Sequence, residues 1–251
     1  MEREYGRAYE QLYRRHWWWR AREEYLVSLL KKTPLPAPTT ILDVGCGGGW
    51  FFDRLRALGG QVEGVEPERA LVSDDVLLRH KIHVGPFDRS FQPGKPYSLI
   101  LMLDVLEHLD DAPAALAHAV ELLEPEGVLM ITVPAFRCLW TSHDDMNHHR
   151  TRYTKQTFAR VADLAGMRID TFQYFFHWLV PLKLAVRAKE CLLTTQLTPP
   201  TVPPRLVNQF CYGLSRLEQF LCARLRIPAG SSLLVIGGRR GGWSSSAGPG
   251  R

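Results

Sequence analysis

Hydrophobic and polar positions follow two rhythms along this chain. Over residues 7–32, Tyr9, Leu12, Tyr13, Trp17, Leu26 and Leu29 recur near one face, which predicts a helix. The proline-rich stretch 34–38 ends it as a stiff connector. Short apolar runs then predict strands at Thr40–Val44, Gln61–Val65, Lys81–Val84, Tyr97–Leu103 and Gly127–Val133. Between them the spacing predicts helices at Trp50–Leu58, Pro67–Leu78 and Asp111–Leu123, the last with Leu116, Ala119, Val120 and Leu123 toward a core. Thr154–Ala165 reads as a helix capped by Thr154 and stopped by Gly166. Met167–Tyr174 and Ser232–Gly237 read as two more strands. Two helical stretches, about 176–193 and 205–226, lie between them and are joined by 194–204. In the second, Leu206, Phe210, Leu214, Leu217, Leu221 and Leu225 fall at helical spacing, with arginines elsewhere.

Strands alternating with helices mean βαβ units and a mainly parallel sheet covered on both faces. The expected fold is α/β: a Rossmann-like, seven-stranded, mostly parallel sheet with an N-terminal cap helix and a C-terminal helical insert before the last strand. Ligands bind such sheets outside the carboxyl ends of the strands, where the winding reverses. That places function at 43–49, 66, 85–88, 103–108 and 134–153.

The chain has 251 residues, 45% hydrophobic and 23% charged, which excludes disorder, collagen-like repeats and a small disulfide scaffold. Five cysteines without a CxxC pair, and no early apolar run like a signal peptide, predict a chain kept in a reducing cytoplasm. The net charge of +5 is too small to show a nucleic-acid or membrane partner. The excess sits beyond Phe175, where Lys183, Arg187, Lys189, Arg205, Arg216, Arg224, Arg226, Arg239 and Arg240 face only Glu190 and Glu218.

The strongest chemical signal is ILDVGCGGGW, residues 41–50: an apolar strand, Asp43, then Gly45, Gly47, Gly48 and Gly49 before a helix. Such glycines let a backbone turn tightly and admit a ligand close to the main chain, facing N–H groups. A nicotinamide fingerprint, GxGxxG, would need glycine at position 50, which is Trp50. Glu66 ends the next strand near the offset at which a carboxylate meets ribose hydroxyls.

With VEGVEP (62–67) and LILMLDVLEHLDD (99–111), these segments resemble the class I S-adenosylmethionine-dependent methyltransferases. The similarity is to the branch containing quinone-precursor O-methyltransferases and many bacterial enzymes of unassigned substrate. HWWWRAR (16–22) and SHDDMNHHRTRY (142–153) are similar to the unassigned branch, and the resemblance covers about 9–174 and 229–238. One departure is Tyr97-Ser98, where relatives commonly have Phe-Asp.

The resemblance implies S-adenosylmethionine as cofactor. Asp43, Gly45, Cys46, Gly47 and Gly49 would border its methionine part, and Glu66 would bind the ribose. Pro67 would lie beside the adenine, with Pro86, Phe87 and Asp88 around its edge. Leu103, Asp104 and Val105 would lie below the sulfonium. The chain then divides into a helical cap (1–38), a cofactor-binding core (39–174), a helical insert (175–228), the last core strand (229–238) and a disordered tail (239–251).

Methyl transfer to oxygen or nitrogen can need a base near the carboxyl ends of the fourth and fifth strands. His108 is one candidate. His143 paired with Asp144 is the favoured one, with His148, His149, Arg152 and Tyr153 beside them as acceptor contacts. No metal-ligand spacing such as HExxH occurs, so no metal is expected.

Trp17, Trp18 and Trp19 cannot all face a core from one helix, which points Trp18 and Arg20 toward the cleft or the acceptor. The apolar window Phe172–Val186 is interrupted by Pro181 and Lys183 and is shorter than the ~20 residues that span a bilayer. Core or homodimer packing is favoured for it, and peripheral membrane contact through 172–190 is the alternative.

The expected function is methyl transfer to a small-molecule acceptor, an oxygen of a sugar, quinone-like or lipid-linked intermediate. A noncatalytic adenosine-binding module and a nicotinamide-dependent oxidoreductase are the alternatives. Nucleic acid is not an expected partner, since Leu103-Asp104-Val105-Leu106 stands where an NPPY-type tetrad would follow the fourth strand.

Overall fold

The computed structural model describes residues 2–37, 39–193, 200–222, 225 and 227–241. Its strands are β1 (Thr40–Val44), β2 (Gln61–Glu66), β3 (Lys81–Val84), β4 (Tyr97–Leu103), β5 (Leu123–Pro134), β6 (Met167–Phe175) and β7 (Ser232–Arg239). They form one seven-stranded sheet in the order β3-β2-β1-β4-β5-β7-β6. β1 to β5 pair in parallel, and β7 runs antiparallel between β5 and β6. The winding reverses at β1, where Asp43 stands level with Gly64 of β2 and Leu101 of β4. The expected mostly parallel sheet is the observed one.

The helices are α1 (Glu2–Arg15), α2 (Trp17–Leu30), α3 (Phe52–Arg56), α4 (Asp74–Arg79), α5 (Ala112–Glu121), α6 (Ser142–Met146), α7 (Lys155–Leu164), α8 (Leu179–Leu192) and α9 (Arg205–Leu221). Both sheet faces are covered. On one, Leu116 and Ala119 of α5 and Phe158 and Ala162 of α7 pack on β4 and β5; on the other, Leu26 and Leu30 of α2 and Phe52 and Leu55 of α3 pack on β1. Thr154 caps α7 through Thr157 N, and Gly166 follows at φ 67, as its sequence predicts.

Several boundaries differ from expectation. The helix over 7–32 is two helices, because His16 has extended backbone and its Nδ1 accepts from Trp18 N at 3.1 Å, capping α2. The helix over 67–78 is a 3₁₀ turn at Arg69–Leu71 followed by α4, separated by extended Val72 and Ser73. α3 is shorter than Trp50–Leu58, β5 starts at Leu123 rather than Gly127, and β6 runs through Phe175. The joining segment falls partly, and the expected disordered tail mostly, outside the described residues.

α9 presents the side opposite to what its sequence invites. Its narrow polar edge faces α2: Asn208 Oδ1 accepts from Trp17 N at 2.7 Å, Asn208 Nδ2 donates to Arg15 O, and Gln219 Nε2 donates to Ala21 O at 3.1 Å. The leucine stripe is left outside. No helix among the described residues is long and apolar enough to cross a membrane.

Candidate active site at the carboxyl edge of the sheet

β1 delivers the chain into a loop in which Gly45, Gly47 and Gly49 all have left-handed backbone, at φ 71, 53 and 69. A side chain at any of them would be strained. Space is also closed. A Cβ on Gly45 would stand 2.8 Å from Val105 Cγ2, and one on Gly47 would stand 2.7 Å from the Trp50 ring. Tyr9 and Tyr13 of α1 pack on that ring at 5.7 and 5.4 Å, so the N-terminal helix closes over the loop. Trp50, which breaks the nicotinamide pattern, is therefore a wall of the cradle.

Glu66 latches the loop. Its Oε2 accepts from Gly47 N at 2.7 Å and its Oε1 from Glu68 N at 2.8 Å. Each carboxylate oxygen takes about two donors, so one lone pair on each is left for a ligand diol. Burial raises the Glu66 pKa, against the lowering effect of those two N–H bonds. Asp43 is buried beside it, and burial lifts its carboxyl to about 7, with Arg22 opposing and Glu66 adding. Cys46 is buried, its thiol pushed up by burial, and Gly64 of β2 leaves room for its sulfur. This cradle, with two acids and a closed set of left-handed glycines, fits an adenosyl sulfonium.

The adenine-side residues are less committed. Pro67 is exposed directly after β2. Pro86, Phe87 and Asp88 follow β3; Phe87 turns inward against His118 at 5.1 Å, and Asp88 accepts from Ser90 N and Oγ.

At the end of β4, Leu103 leads into Asp104, a left-handed residue at φ 58, whose N donates to Thr132 O. Arg22 of α2 stands 2.7 Å from Asp104 Oδ2 as an ion pair, out of line for a hydrogen bond, with its guanidinium 5.2 Å from the Trp18 ring centre. Glu107 follows, fully buried, and neither carboxylate oxygen has a partner among the described residues. Burial and then Asp104 raise its pKa. Glu107, His108 and His149 each bring one ligand atom within 4.8 Å of the others, so these three can hold a cation although no metal motif is legible in the sequence.

The loop after β5 departs from the expected acid–base pair. Asp144 does not bond His143. It is fully buried and accepts from Arg152 Nε and NH2 at 2.8 and 2.9 Å, from Thr141 N at 2.9 Å, and pairs with His149 Nδ1 at 2.8 Å. Burial alone would raise its carboxyl, but the His149 and Arg152 bonds outweigh that and hold it well below the usual carboxylate range. His143 lies exposed on α6 next to Asn147, and its pKa is lowered, by desolvation first and then by the Lys183 charge.

Three residues expected on the acceptor are committed elsewhere. Arg152 is buried in the Asp144 fork and also donates to Ala135 O, because an unpaired guanidinium could not be desolvated there. Tyr153 is buried with its hydroxyl on Leu106 O. Arg20 lies 4.4 Å over the Tyr212 ring of α9 and packs the insert. Trp18 stacks on Phe176 at 5.9 Å, and His148 is exposed at φ 55.

Lys183 joins the site from α8, which no local sequence signal predicts. It lies on the same face of α8 as Arg187, which donates to Trp140 O at 2.8 Å, and Glu190, which accepts from Ser142. One turn before Arg187, it joins the charges around Arg152, Asp144 and Asp104, and burial, then Arg152, lowers it to about 8.

Residues 18–171 match the family described as "Methyltransferase domain". A ubiquinone biosynthesis O-methyltransferase of Rhodopseudomonas palustris BisB5 is 28% identical over 96 residues, covering 36% of this chain and 38% of that protein. One of Paramagnetospirillum magneticum is 34% identical over 98 residues, covering 36% and 39%. This chain thus spans well under half the length of these relatives. A TehB-like S-adenosylmethionine-dependent methyltransferase of Corynebacterium glutamicum superposes at a TM-score of 0.52 with 17% identity, covering 86% of this chain and 87% of that one. Phosphoethanolamine N-methyltransferase 2 of Haemonchus contortus, in complex with S-adenosylmethionine, superposes at 0.56 with 14% identity, covering 86% and 52%. With more than half of its length inside the matched domain, this chain belongs to the methyltransferase-domain family, and its fold is that of S-adenosylmethionine-dependent methyltransferases.

Proposed function

We propose that this chain transfers a methyl group from S-adenosylmethionine to an oxygen of a small sugar, quinone-like or lipid-linked acceptor. The observation that carries the reading is the left-handed glycine cradle latched by Glu66. The bound cofactor supplies an activated methyl on a sulfonium. The chain binds, orients and keeps water out, and these are the main contributions such a displacement needs. Glu66 holds the ribose, Asp43 faces the cationic end, and Leu103 to Val105 form the floor. The relatives named as O-methyltransferases support oxygen as the acceptor atom. The test is incubation of purified protein and methyl-labelled cofactor with a cell extract. A compound gaining the mass of one methyl is expected; tight cofactor binding with no turnover on any acceptor would favour the noncatalytic module.

His149 is the base this geometry favours. Asp144 only accepts, so the proton on His149 sits on Nδ1 and leaves Nε2 basic, with His108 at 4.8 Å between ring centres. Trp18 and His148 stay on the acceptor side of this reading. His149→Ala is expected to lower turnover roughly a hundredfold with cofactor affinity unchanged, the lower end of general-base effects. His143→Ala should cost less. Equal losses in both, measured as single-turnover rates, would remove the assignment.

Asp43 makes cofactor binding proton-linked. Its carboxyl, at about 7 in the free protein, ionises beside a cationic ligand, so binding releases a proton and weakens as pH falls below 7. By the same sign, the raised value costs the ligand-free protein stability as pH rises from 3.8 toward 7. Calorimetry in buffers of different protonation heat should show the release, and Asp43→Asn should abolish it. Heats independent of buffer would move Asp43 away from the cationic end.

A further inference from the structure

The insert between β6 and β7 exposes an apolar surface. On α9, Leu206, Phe210 and Leu221 are 81%, 69% and 60% exposed, with Leu217 in the same stripe. On α8, Leu182 and Leu192 are also exposed, while Lys183, Arg187 and Glu190 turn toward the site loop.

Charge identifies the occupant. From 176 to 231 the sequence holds Lys183, Arg187, Lys189, Arg205, Arg216, Arg224 and Arg226 against Glu190 and Glu218. That surplus equals the +5 of the whole chain, so the rest of the protein is balanced. Both acids are turned inward: Glu190 accepts from Ser142 N and Oγ at 3.1 and 2.6 Å, and Glu218 accepts from Trp178 N at 2.8 Å. Lys189 is exposed on α8, two turns from exposed Leu182, and Arg205 is exposed on α9, next to Leu206 in sequence. A face that combines exposed leucine and phenylalanine with cations, its carboxylates withdrawn, complements an anionic lipid surface. A second copy would set Lys189 and Arg205 against the same two cations.

We propose that the outward face of α8 and α9 docks on an anionic membrane, with Leu206, Phe210, Leu217 and Leu221 at the acyl boundary and Lys189 and Arg205 on the headgroups. α8 also carries, on its other side, the contacts that hold the loop after β5, so the docking helix and the site loop are joined through Arg187 and Glu190.

The test is flotation of the full chain with vesicles of phosphatidylcholine alone or mixed with phosphatidylglycerol. The chain should float with the mixed vesicles and much less with phosphatidylcholine alone, and added salt should release it. Phe210→Ser with Leu217→Ser should weaken partition on the order of tenfold or more. Lys189→Glu and Arg205→Glu should each weaken it about fivefold or more, the worth of one cation near such a surface. These side chains are exposed, so an unchanged thermal midpoint is expected in every variant. No flotation of the wild type, equal flotation without phosphatidylglycerol, or flotation that survives Phe210→Ser with Leu217→Ser would each overturn the proposal. So would a concentration-dependent dimer that those two substitutions dissociate, which would assign the face to a second copy. Vesicle binding needs no cofactor, so such failures leave the methyl-transfer reading standing.

Discussion

Gly47→Arg is expected to abolish measurable S-adenosylmethionine binding by calorimetry, a loss of roughly a hundredfold or more, given about tenfold for every 1.4 kcal/mol. Three effects add. Residue 47 sits at φ 53, where a side chain costs about 1–2 kcal/mol. Its Cβ would meet the Trp50 ring at 2.7 Å, so the wall of the cradle must shift. The guanidinium then places a positive charge where the sulfonium would lie. Glu66→Ala should also weaken binding, by about 10- to 100-fold, because charge-assisted hydrogen bonds are worth roughly 1.5–3 kcal/mol and the Gly47 latch is lost with them. Gly59→Ala is the control: residue 59 is also left-handed, at φ 89, but a Cβ there meets no atom of the described residues within 4 Å. It should lower stability and leave affinity alone. Unchanged affinity in both Gly47→Arg and Glu66→Ala would remove the cofactor site from this edge of the sheet.

Gly47 and Glu66 were legible because the signals that mark them are local: a strand, a glycine spacing, and an acid at the next strand's end. The sheet was legible for the same reason. The rest of the site depends on contacts between distant segments. Arg22 reaches Asp104 across more than eighty residues of sequence, and Lys183 reaches the site from the insert. α6 has five residues, too few to show a helical period. His16 breaks the long N-terminal helix through one side-chain bond that periodicity cannot register. α9 is the instructive case. Spacing shows that its two faces differ, but not that Asn208 and Gln219 pack inward while the leucines stay outside. The Asp144 partners are similar: adjacency pairs it with His143, whereas the helical turn and the chain's return bring His149 and Arg152 to that carboxylate.

That carboxylate supports the last prediction. Asp144→Ala should destabilise the fold by about 3–5 kcal/mol, the usual cost of breaking a buried ion pair from one side. The Arg152 guanidinium is 1% exposed, so it would lose its counter-ion with no water to replace it. His149 Nδ1 and Thr141 N would lose their acceptor as well. At roughly 2–4 °C per kcal/mol for a chain of this size, the midpoint should fall by about 6–20 °C. Replacing both partners, Asp144→Leu with Arg152→Met, should recover much of the loss, since an apolar pair leaves no charge stranded. The pH dependence has a definite sign. The Asp144 carboxyl is held below its ordinary value, so its contribution is intact above 3.8 and lost only as pH falls further, through the folded value. The gap between wild type and Asp144→Ala should therefore be flat from about pH 5 to 8 and close only in stronger acid. A gap that narrows near neutrality would mean that a group other than the Asp144 carboxylate sets the stability of the loop, and the Arg152 fork would have to be withdrawn as its anchor.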